Sequence, residues 1–199
     1  LNIKRMKSIS HEHGKINSKI VSKQIISIVF LTILTLLTME SQAQTFKTIE
    51  NKDLKLEVYN ASENSFGVAS VIVSGKKDAV LIDTQFTLAD AEKVAQEIKK
   101  SGKKLTTIFV SHGDPDFYFG LEVFKKYFPE VTAYATPATI EHIKATAQKK
   151  LDVWGERLGK NITSNVILPL VLKGISIELE GHHLEIVGLQ EFPSQTFVW

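Results

Sequence analysis

Apolar and polar residues alternate in LKLEVYN (Leu54–Asn60), the pattern of a strand with one face against a core. FGVASVIVSG (Phe66–Gly75) and DAVLIDT (Asp78–Thr84) are more continuously apolar, and the Gly75-Lys76-Lys77-Asp78 turn between them predicts a hairpin. The period then changes from two to about 3.6. Leu88, Ala91, Val94, Ala95 and Ile98 form one stripe, with Thr87 placed to cap its start and Gly102 its end, which predicts a helix. LTTIFVSH (Leu105–His112) is short, apolar and rich in β-branched residues, as a strand covered on both faces would be. VTAYAT (Val131–Thr136) predicts another strand. Pro137 suits the first turn of a helix whose apolar side is Ile140, Ile143, Ala147, Leu151, Trp154 and Leu158. From Asn165 the pattern is β again, through NVILPLVL, ISIELEG, HHLEIVGL and QTFVW. Strands interleaved with two long amphipathic helices predict a layered α/β domain.

The first 43 residues follow a different rule. Six basic side chains, the last at Lys23, precede an uncharged run, QIISIVFLTILTLLT (Gln24–Thr38), and Ser41-Gln42-Ala43 follows. Fifteen uncharged residues are short for a bilayer span, and the order basic, apolar, small is that of a secretory leader. The expected division is a leader over 1–43 and a domain over 44–199, the latter exported to a periplasmic or extracellular space without stable membrane insertion once the leader is cleaved. The chain's charge of +2 then resolves into a basic leader and a domain of −2, because residues 1–43 hold six bases against two acids. A mildly acidic domain gives no electrostatic reason to expect a nucleic-acid partner. There is no cysteine, so disulfides are excluded and any metal would need His, Asp or Glu ligands. The run ends inside an apolar stretch at Trp199, which predicts that the domain is a partial one.

The chemistry concentrates in SHGDPDFYFG (Ser111–Gly120), directly after the most buried predicted strand. Loops at strand ends hold side chains at defined points, which suits a site. His112, Asp114 and Asp116 alternate, and an imidazole with two carboxylates suits a divalent cation such as zinc, iron or manganese. An Asp-, Gly- and Pro-rich turn without function fits the same letters.

With the strand order around it, this run resembles the metallo-β-lactamase superfamily, in which a loop after a buried strand carries His-x-His-x-Asp-His. His112 and Asp116 match the first His and the Asp; Asp114 stands for the second His and Phe117 for the last. AVLIDTQ resembles the upstream strand of that family, with Asp83 at its end. The resemblance covers residues 54–199. It implies an αββα layered sandwich, here apparently truncated at the C-terminus, and a metal-dependent hydrolase acting on an unknown small-molecule substrate. It also implies zinc, at most one ion, on His112, Asp114 and Asp116, with Asp116 as the residue that ligates or orients the attacking water. Phe117 supplies no donor, and EFPSQT (Glu191–Thr196), where a later family His would fall, contains none. The departures leave a second reading open: a non-catalytic binding protein that keeps the fold and has lost or weakened the metal site. Other histidines carry less. His11 and His13 lie in the leader, His142 lies among charged helix residues, and His182 and His183 would point to opposite faces of a strand.

Overall fold

The computed structural model describes residues 46–199; the leader expected over 1–43 lies outside them. Strands β1 (Phe46–Asn51), β2 (Leu54–Asn60), β3 (Ala69–Ser74) and β4 (Asp78–Ile82) form an antiparallel meander. The chain then crosses over through α1 (Leu88–Ser101) to β5 (Lys104–Phe109), which pairs with β4 in parallel. Two short helices, α2 (Pro115–Tyr118) and α3 (Leu121–Tyr127), lead to β6 (Thr132–Ala135), and the long α4 (Pro137–Leu158) leads to β7 (Leu170–Val171). These seven strands lie side by side in chain order. A second, three-stranded sheet follows, made of β8 (Ser176–Leu179), β9 (His182–Val187) and β10 (Phe197–Val198), in the order β10-β9-β8.

The layers follow from the alternation. Odd and even residues of a strand face opposite sides. In β2, Tyr59 turns to the helical side, where it joins Ile72, Leu81, Ile108, Ala91, Val94 and Ile98 in the larger core. Val73, Val80, Ile82 and Phe109 turn the other way and meet Ile177, Leu179, Leu184 and Ile186 of the small sheet. Helices, large sheet and small sheet are thus the layers that the described residues build. They constitute the α/β sandwich expected from the sequence. Glu178, His183 and Glu185 sit on the exposed outer face of the small sheet.

Local signals explain the element ends. The Thr87 hydroxyl accepts from the Asp90 N–H at 3.2 Å, and Gly102 takes the left-handed conformation (φ +70°) that ends α1. In α4, Thr136 caps the Thr139 N–H at 3.0 Å with Pro137 in the first turn. Buried Asp90 ties three segments together. It accepts hydrogen bonds from the Tyr59 hydroxyl at 2.7 Å and from the Ser65 hydroxyl at 2.8 Å, while Thr87 bonds it at 2.7 Å. The predicted strand start at Phe66 moves to Ala69, because Phe66 (φ +59°) closes a 3-10 turn over Glu63–Ser65. NVILPLVL yields only the two-residue β7, whose register partners are Tyr134 and Ala135. Among the described residues no helix is long and apolar enough to cross a membrane.

Candidate functional site

The loops that follow β4 and β5 meet at the C-terminal ends of these strands, the edge where a parallel sheet presents side chains from neighbouring turns. Asp83, next after β4, has φ +61°, a conformation in which Asp and Asn are enriched among non-glycine residues. Its buried carboxylate accepts from the Ser111 N–H at 2.8 Å and from the Ser111 hydroxyl at 2.7 Å. The Ser111 hydroxyl lies 2.6 Å from His112 Nδ1. Since that hydroxyl has one proton and gives it to an ionised Asp83, Nδ1 must be the donor to it, which leaves Nε2 of the neutral ring as the acceptor.

Burial sets the protonation here. It pushes Asp83 up to about 7, against the two Ser111 hydrogen bonds that pull it down, with the Asp116 charge adding to the rise. Burial likewise lowers His112, opposed by the Asp114 and Asp116 carboxylates. Asp116 is raised, first by burial, with the Asp114 charge adding and Lys150 and His112 opposing.

Two glycines allow the loops to close up. A Cβ on Gly120 would lie 1.8 Å from the Thr84 carbonyl oxygen, so only glycine fits where the Thr84 turn crosses the start of α3. A Cβ on Gly113 would come within 2.6 Å of the His142 ring on α4. Thr84 binds the Phe117 carbonyl twice, through its N–H at 2.9 Å and its hydroxyl at 3.0 Å. On the other side His112 forms an antiparallel bridge with Gln195, and Thr196 gives its N–H and its hydroxyl to the Ser111 carbonyl, both at 3.1 Å.

The three candidate ligands separate within this frame. His112 and Asp116 line a common cavity of about 660 Å³ with Asp83, Ser111 and Thr196. Its walls are apolar: Leu54, Leu56, Val71, Val73, Leu184 and Val198. Asp114 does not line it. Asp114 ends its loop as the residue before α2, and its Oδ1 accepts from Lys150 Nζ at 2.7 Å, with His142 Nε2 at 3.8 Å. Lys150 also donates to the Gly113 carbonyl at 2.9 Å and lies 3.3 Å from His142 Nε2. Phe117 stacks on the His112 ring with centroids 4.3 Å apart and planes 18° from parallel.

A family model described as the metallo-beta-lactamase superfamily matches residues 64–193. The chain belongs to the metallo-β-lactamase superfamily. Solved structures agree in fold. The metallo-β-lactamase from Hirschia baltica superposes with a TM-score of 0.52 at 15% identity, over 77% of this chain and 66% of that one. The DIM-1 metallo-β-lactamase gives 0.50 at 18% identity, over 78% of this chain and 64% of that one. The chain therefore spans slightly under two thirds of the length of each. No curated protein matches it.

The superfamily implies zinc, and the residues present do not fit it. Among the described residues no group of three or more His, Cys, Asp or Glu side chains is placed to hold a metal ion. The expectation of a zinc site, and with it of a metal-binding protein, is corrected on that ground. The physical reason is in the loop: Asp114 is spent on the Lys150 ammonium, and Phe117, which stacks on the His112 ring, supplies no donor atom. Sequence reasoning missed Lys150. It follows His142 by eight residues, so both fall on one flank of α4, but nothing in the sequence places that flank beside Gly113. It also missed Ser111, whose hydroxyl links Asp83 to His112.

Proposed function

We propose that this superfamily member is a non-catalytic binding protein whose strand-end cavity takes a small molecule with an apolar body. The observation that carries this reading is the pairing of Asp114 with Lys150, which removes one donor of the metal loop and satisfies it internally. The cavity supports the binding half of the proposal. Its volume of about 660 Å³ falls in the range usual for small-molecule sites, and a few polar groups at one corner of apolar walls are what such sites use for orientation.

The test has two arms on the full chain. Titration with an environment-sensitive apolar dye should give saturable binding that Val71→Arg weakens at least tenfold, because a cation placed among apolar walls costs far more than it gains. Chromogenic β-lactam, thioester and phosphodiester substrates should show no turnover beyond that of His112→Ala. Turnover that His112→Ala abolishes would contradict the non-catalytic reading. Dye binding unchanged by Val71→Arg would contradict the assignment of the cavity.

A further inference from the structure

The strand starts, at the opposite end of the large sheet from the cavity loops, gather lysines from separate turns. Lys52 lies in the β1–β2 turn and Lys76 and Lys77 in the β3–β4 turn. Lys99, Lys100, Lys103 and Lys104 close α1 and open β5, and Lys126 lies in the last turn of α3. Contacts bring these turns together. Lys104 gives its N–H to the Lys77 carbonyl at 3.0 Å, and Lys103 Nζ donates to the Lys76 carbonyl at 2.6 Å. Lys99 and Lys126 both stand over the Tyr127 ring, at 5.7 and 5.6 Å from its centroid.

Lysines outnumber acids at this end, where Glu50, Asp53, Asp78, Glu97 and Glu180 lie in or against the same turns, and most of the lysines make no ion pair among the described residues. Among the described residues the ion pairs at this end are Lys55 with Glu57 and Lys100 with Glu97. Lys76, Lys77, Lys99, Lys104 and Lys126 are exposed and outside them. The β3–β4 turn already holds a carboxylate of the chain itself. It turns the N–H groups of Lys76, Lys77 and Asp78 onto the Glu180 carboxylate at 2.8, 2.6 and 2.6 Å. These three bonds, aided by Lys103, hold that carboxylate down to about 2. The domain over residues 44–199 is net negative, so a positive end means that charge is segregated along the sheet.

We propose that this lysine end is a docking surface for an anionic lipid bilayer, which it meets peripherally. Several observations favour a bilayer over nucleic acid. The cations are all lysine, point charges suited to a diffuse field, whereas base and phosphate recognition draws on the bidentate fork of arginine. Arg157 is the only described arginine, and it lies beside Trp154 on α4. The aromatic ring at this end, Tyr127, has the Lys99 and Lys126 ammonium groups over it at 5.7 and 5.6 Å, contacts that a stacked base would have to displace. The lysines also come from separate strand turns and helix ends at one end of the sheet, a spread that suits a diffuse surface.

The experiment is co-sedimentation of the full chain with vesicles of phosphatidylcholine containing 30% phosphatidylglycerol, in low salt. Each lysine near such a surface is worth about fivefold in partitioning. Lys76→Gln/Lys77→Gln/Lys104→Gln should therefore lower binding at least tenfold, with melting unchanged because these side chains make no described contact. Lys144→Gln/Lys149→Gln/Lys160→Gln carries the same charge change away from this end and should bind as the parent does. Raising the salt to about 0.5 M should abolish the difference between the two triples, because the Debye length then falls to a few ångströms. Binding that persists in the first triple, equal loss in both triples, or equal binding to pure phosphatidylcholine would overturn the proposal. So would a preference for a DNA duplex over the vesicles in competition.

Discussion

Replacing Asp83 by Asn tests the electrostatics of the strand-end cluster. Asp83 is buried, and its carboxyl group titrates near 7 in the folded chain against an ordinary value of 3.8. Between these two values the folded state holds a proton that the unfolded state has released, so stability falls as the pH rises from about 4 to about 7. The contribution is fully present below the unfolded value and lost above the folded one. At about 1.4 kcal/mol per unit, the gap of about three units corresponds to a loss of up to about 4 kcal/mol at pH 8. Asparagine reproduces the protonated geometry. Its Oδ1 accepts from the Ser111 N–H, its Nδ2 donates to the Ser111 hydroxyl, and that hydroxyl turns its proton to His112 Nδ1. Asparagine also tolerates φ +61°. The stability of Asp83→Asn relative to the parent should rise by about 3 kcal/mol between pH 4.5 and pH 8. Urea unfolding of both chains from pH 4.5 to 8.5 measures this. The difference between the two removes the opposite trend from His112, whose lowered value costs stability as the pH falls below its unfolded value near 6.5. A constant difference across the series, or a parent that gains on the variant as the pH rises, would refute the reasoning.

Lys150→Met should lower stability by about 1–2 kcal/mol, since it removes two hydrogen bonds of the ammonium, one to the Asp114 carboxylate and one to the Gly113 carbonyl, at a partly exposed site. Lys144→Met, which breaks only the exposed pair with Glu141, should stay within about 0.5 kcal/mol in the same urea series. Gly120→Ala should cost at least about 3 kcal/mol or prevent folding, because its Cβ meets the Thr84 carbonyl oxygen; circular dichroism and a melting curve identical to the parent's would show that the crossing can relax.

How far the sequence could be read depended on whether a feature is local. The alternation of β2, the caps of α1 and α4 and the apolar run of β5 depend on residues a few positions apart, and all lie close to where the pattern places them. Strand β1 was missed because most of its residues are exposed and its register comes from β2. Residues 117–128 are rich in aromatic side chains, a composition that suits packing on the core. Tyr118, Phe119 and Phe124 are indeed buried there, but Gly120 divides the stretch between two short helices, too brief for a helical period to show. In the site, His112 lies where the strand end predicts, just past β5. The fate of Asp114 was not legible, because it is decided by a lysine 36 residues away that reaches it only after α4 has packed.

The central claim is that the described residues keep the metallo-β-lactamase fold without a centre that holds metal. Zinc loading of the purified chain, exhaustive dialysis and elemental analysis test it most directly, with His112→Ala carried in parallel. The account predicts less than about 0.1 equivalent of zinc per chain in both, because a neutral His112 and Asp116 without a third donor cannot compete with water for a four-coordinate ion. One or two equivalents retained by the parent and lost in His112→Ala would contradict it.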